Sequence, residues 1–97
     1  MQDFRAELAQ SLDEAELDWL KPHIQRDVVL VVTKELDLLD VGVAIAQDDI
    51  VSVQHWISEQ LLHKPFAEQL VEWNTDHTKR FQALIVQPYV LVQELAA

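Results

Sequence analysis

Apolar residues recur at every fourth position early in the chain, Phe4, Leu8 and Leu12, and predict a short first helix. Ser11 and Glu14 have the S-x-x-E spacing of a capping box, which predicts a second helical segment restarting there. Asp18 then caps a short helical piece, DWLKPHIQR. Pro22 falls in its first turn, where a missing N–H costs little. The pattern changes at DVVLVV, residues 27–32. Its apolar residues run without alternation, as expected of a strand covered on both faces.

Residues 37–47, DLLDVGVAIAQ, return to helical spacing and leave only a narrow polar sector of Asp37, Asp40 and Gln47. So widely apolar a helix belongs in the middle of the fold. Gly42 disfavours the helix by about 1 kcal/mol relative to alanine, which points to a strand packed directly on it. Ile50, Val53, Ile57 and Leu61 then form a narrower stripe with Trp56 on its flank. LLHKP reads as a short strand or an extended link, and Pro65 suits the first position of another helix. In that helix Phe66, Leu70, Trp73, His77 and Phe81 line one face, and Asp76 can pair with Arg80.

The end of the chain, FQALIVQPYVLVQEL, is rich in β-formers, and Pro88 requires an edge strand, a bulge or a break into two strands. The expected fold is a helix-rich α+β single domain over residues 1–97 with a small two- or three-stranded sheet. Residues 1–17 form an N-terminal helical segment. The long last strand would lack partners within one chain, and such an apolar edge predicts a homodimer.

Composition narrows the function classes. Half of the residues are hydrophobic (49%), which argues against disorder even at a net charge of -10. The absence of cysteine excludes disulfides, thiolate metal sites and cysteine nucleophiles. No apolar run approaches the roughly 20 residues of a membrane span, and MQDFRAELAQ lacks the order of a secretory signal, so a cytoplasmic protein is expected. Residues 1–49 hold twelve of the seventeen acidic residues and four of the seven basic ones. That field repels phosphate backbones, so no nucleic acid is expected as a partner; a basic protein partner or plain solubility fits it.

The strings QRDVVLVV, ELDLLDVGVAIAQDD, VQHWISEQLL and IVQPYVLVQE resemble a bacterial family known as domain of unknown function 2288. The likeness covers roughly residues 18–94, and LDLLDVGVAIAQDD and QPYVLVQE are its most specific parts. Tyr89 stands where the family is expected to carry tryptophan. The resemblance implies a small bacterial cytoplasmic protein and carries over no catalytic or binding residues.

Candidate chemistry centres on AIAQDDIVSVQHW, residues 44–56. On one helix Asp48 and His55 would lie about 10 Å apart, too far to share an ion without a third residue. One of Asp48 and Asp49 is expected to cap a helix starting near Ile50, leaving the other for surface or site work. His77 lies on an apolar stripe. There it is either a hydrogen-bonded core histidine or a pocket base or metal ligand met by Asp48 or Asp49. His23, His55 and His63 fall on polar faces or in connecting pieces, without the two-histidine spacing of a zinc helix. Trp19, Trp56 and Trp73 are expected in core or interface packing, because scattered cations do not support base stacking. The serines lack a nucleophile elbow, and one glycine cannot build a phosphate loop. The expected function is a non-enzymatic interaction or structural module forming a homodimer, with no cofactor. The alternative is a small enzyme or ligand-binding domain using a carboxylate–histidine pocket of Asp48, Asp49 and His77. An acidic DNA mimic is a third, weaker option.

Overall fold

A computed structural model describes residues 4–76 and 78–95. In chain order the elements are α1 (Phe4–Ala9), β1 (Asp13–Glu16), α2 (Leu17–Gln25), β2 (Val29–Val32), α3 (Leu38–Ala46), α4 (Ile50–Ser58), β3 (Leu62–His63), α5 (Ala67–Thr75), β4 (Arg80–Val86) and β5 (Tyr89–Glu94). The strands form one sheet in the order β1-β4-β5-β2-β3. Only the β2–β5 pair is parallel. The fold is α+β, with a larger sheet than the two or three strands expected.

Period-two alternation sorts the strand residues onto two faces. Val29, Val31, Phe81, Ala83, Val90 and Val92 enter one core cluster with Leu20 of α2 and Trp73 of α5. Val32, Leu84, Val86 and Leu91 enter a second cluster with Leu38 and Val41 of α3, while Leu8, Val53 and Trp56 pack beside it. Helices therefore cover both faces, and the unbroken VLVV run of β2 is apolar because it has no solvent side. Gly42 behaves as its sequence predicts. A Cβ there would lie 2.4 Å from Leu84 Cδ2, so α3 rides directly over β4.

Several expectations fail for identifiable reasons. Ser11 and Glu14 start no helix, because residues 13–16 form the outer strand β1. The acids of β1 are legible only against their partner strand: Arg80 Nε lies 3.0 Å from Glu14 Oε1 and Arg80 Nη1 3.3 Å from Glu16 Oε1. Pro22 sits inside α2 rather than in its first turn, and Glu16, not Asp18, is the N-cap. Pro65 precedes the N-cap Phe66, whose N–H donates to Gln69 Oε1 at 3.0 Å. Helix α5 stops at Thr75, where Asp76 turns extended and its Oδ1 accepts from Thr78 N and Oγ1. Trp73 and Phe81 nevertheless meet edge to face, with ring centroids 4.9 Å apart. The stripe joined residues of one core that belong to different elements. Arg80 accordingly pairs across the sheet and not along a helix with Asp76.

The C-terminal segment breaks at Pro88 into β4 and β5, as one reading of that proline allowed. Strand β5 lies between β4 and β2, so the proposed apolar edge does not exist. The outer strands are instead the acidic β1 and the two-residue β3. Short, charged edges of this kind resist sheet-to-sheet association.

With a single glycine in the chain, three helix ends are closed without one. Asp27, Asp48 and Gln60 take positive φ (62°, 56° and 61°) immediately after the C-caps of α2, α3 and α4. In each case the next residue's N–H reaches the carbonyl five residues back: Val28 to His23, Asp49 to Ala44 and Leu61 to Trp56. These are Schellman motifs, with Asp or Gln where glycine is usual. Gln60→Gly is therefore expected to raise stability by up to about 1 kcal/mol, read as a higher urea midpoint with unchanged slope.

Candidate functional site

Asp48 and Asp49 divide two structural tasks between them. Asp48 ends α3 in the left-handed conformation, which aspartate tolerates better than most residues. Asp49 is the N-cap of α4, and its Oδ1 accepts from Ser52 N at 3.2 Å. The hydrogen bonds of the Schellman motif hold the two helices at this corner. Both acids are exposed.

They also border a groove of about 320 Å³. It is lined by Leu30 of β2, Leu62 of β3, Ile45 of α3, Ile50 and Ile57 of α4, and by Tyr89 and Lys64. Lys64 Nζ pairs with Asp27 Oδ2 at 2.5 Å. Helix α4 turns Val53 and Trp56 toward the second core cluster, yet none of its residues is fully buried. Ile50 is 62% exposed, Val51 80% and Ile57 54%. Of the expected stripe of Ile50, Val53, Ile57 and Leu61, Val53 packs beside the second core cluster and also lines the groove, Ile50 and Ile57 line the groove and stay exposed, and Leu61 falls beyond the end of α4. No Asp, Glu, Lys or Arg occurs between Ile50 and Ser58, and the stretch contains His55. A charge-depleted apolar ridge beside an apolar groove has the composition of an interface core.

Of the other candidate residues, none of those described lines the groove. His77 lies outside the described residues. His55 is exposed on α4. His23 packs against Trp19, with ring centroids 4.8 Å apart. His63 stacks on Phe66 at 4.1 Å, and its Nδ1 faces Lys64 O at 2.8 Å. His63 lines a smaller cleft of about 270 Å³ with Thr33, Glu35, Gln69 and Glu94. Glu94 is engaged by Trp73 Nε1 at 2.5 Å and by Lys79 Nζ at 3.7 Å. Among the described residues, no group of three or more His, Asp or Glu side chains is placed to hold a metal ion. Trp73 is wholly buried, Trp56 half-buried and Trp19 exposed. No helix among the described residues is long and apolar enough to cross a membrane.

Sequence reasoning found the acids but missed the groove. Its signal lay in the run IVSVQHWIS, which lacks Asp, Glu, Lys and Arg and whose apolar residues exceed what one buried face can take.

The arrangement defines a small α+β domain whose sheet is covered by helices on both faces and which presents an apolar surface groove. The chain belongs to the family described as protein of unknown function (DUF2288), which matches residues 3–94. The match begins earlier than the strings first pointing to it and takes in α1 and β1. The fold is similar to the NMR solution structure of PA1075 from Pseudomonas aeruginosa, with 29% identity and a TM-score of 0.82. That likeness covers 95% of this chain and 84% of the other. No curated protein matches the chain.

Proposed function

We propose that this chain is a non-enzymatic interaction module that forms a homodimer through α4 and the groove beside it. The observation that carries this reading is the exposure of Ile50 and Ile57 along the groove, on a helix without Asp, Glu, Lys or Arg, in a chain of net charge -10. The groove and the two isoleucines of its α4 wall form one patch, which a two-fold interface would pair with the same patch of a second copy. The acidic and very short outer strands favour a helical interface over extension of the sheet.

Sedimentation equilibrium tests the reading. The unaltered chain is expected to sediment at twice the chain mass at micromolar concentration. Ile57→Asp, which would place two carboxylates in the contact, is expected to sediment as a folded monomer. An unaltered chain that stays monomeric, or an Ile57→Asp dimer of undiminished affinity, overturns it.

A further inference from the structure

We propose that the cavity beside Trp19 binds a small methylated ammonium ion, in a site separate from the α4 groove. Trp73 is buried and Trp56 packs beside the second core cluster, whereas Trp19 is 42% exposed. Its indole lines a cavity of about 430 Å³, larger than the groove. Strand alternation places Asp13, Ala15, Ala83 and Ile85 on the sheet face that α2 covers. Asp13 stands opposite Ala83 in the register of β1 and β4. Ala15 and Ala83 are buried and short, which leaves the sheet hollow where Trp19 and the half-exposed Ile85 line the same cavity. His23 packs against the indole, with ring centroids 4.8 Å apart, and restrains it.

Three acids also line the cavity, and Arg80 pairs with two of them, Glu14 and Glu16. Among the described residues no lysine or arginine pairs with Asp13. Its Oδ1 accepts the Glu14 N–H at 2.8 Å, which holds the carboxylate in place. An indole, a carboxylate without a cation and an alanine floor together suit one chemical class. The ring and the carboxylate attract positive charge, and methyl groups fill the apolar floor. A sodium ion would give up strong hydration without using that floor. The net charge of -10 attracts all cations and does not choose among them.

The test titrates the full chain with choline at constant ionic strength, followed by NMR at the Trp19 indole N–H and the amides of Ala83 and Ile85. Saturable shifts are expected with choline. Sodium is expected to give none, and neither is the uncharged isostere in which a tert-butyl group replaces trimethylammonium. Trp19→Leu leaves the net charge unchanged and is expected to weaken choline binding roughly two- to thirtyfold, read at the two amides. Asp13→Asn keeps the acceptor for Glu14 and weakens binding as well. Glu68→Gln, which removes the same charge from the exposed side of α5, leaves it unchanged. A blocked trimethyl-lysine amide and phosphatidylcholine vesicles are compared with choline, and the tightest of the three names what carries the ammonium group. No saturable binding of any of them overturns the site. So does an equal response to the uncharged isostere, undiminished binding by Trp19→Leu, or equal weakening by Asp13→Asn and Glu68→Gln.

Discussion

Trp73→Ala is expected to cost about 3–5 kcal/mol, a large part of the roughly 5–15 kcal/mol that stabilises a domain of ordinary size. Trp73 is completely buried, meets Phe81 edge to face, and donates through Nε1 to Glu94 at 2.5 Å. Truncation opens a cavity between α5 and the sheet and takes from Glu94 a charge-assisted hydrogen bond. Lys79, 3.7 Å away, remains as a partner. Trp73→Phe separates the two effects, because it keeps most of the apolar volume and loses the donor. A hydrogen bond to a charged group is worth about 1.5–3 kcal/mol, so Trp73→Phe should fall between the unaltered chain and Trp73→Ala. Urea unfolding followed by circular dichroism measures both. Unchanged midpoints would mean that α5 does not seal this face of the sheet.

Gly42→Val is the second large effect, and its cause is the reverse. The first atom added to Gly42 meets Leu84 Cδ2 at 2.4 Å, and Val86 Cγ2 stands 3.5 Å away. Leu84 is fully buried and has little room to withdraw. Valine adds a branched side chain to that contact, so overpacking of about 1–3 kcal/mol is expected, beyond any gain from replacing glycine in a helix. Shortening the neighbour provides the control. In a Leu84→Ala background, which is itself destabilised, Gly42→Val should cost much less or stabilise. Equal costs in the two backgrounds would refute the direct contact of α3 with β4.

These contacts mark how far the sequence could be read. The two-sided burial of β2, the central place of α3 and the closeness forced by Gly42 were all legible, because each leaves a local pattern. The hairpin break at Pro88 was legible as one of three choices. Strand β1 was not, since DEAE has neither alternation nor β-branched residues; its acids become strand residues through pairing with β4 and Arg80. The overrun of α5 into β4 arose because Trp73 and Phe81 share a core without sharing a helix. Of the candidate site, the sequence identified Asp48 and Asp49 and the cap that one of them forms. It did not show that the other closes α3 or that both border an apolar lane.

By itself, then, the sequence determined which segments are apolar on every side, that one helix lies within residues 37–47 and another starts near Ile50, and that the chain is strongly acidic. Periodicity, capping chemistry and charge are properties of neighbouring residues and need no partner elsewhere. Only the tertiary structure decided that β5 is a central strand, that β1 and β3 lie at the edges, and that Ile50, Val51 and Ile57 remain uncovered. Those depend on which distant segments meet, and no local spacing records the face of a helix that the rest of the chain leaves bare.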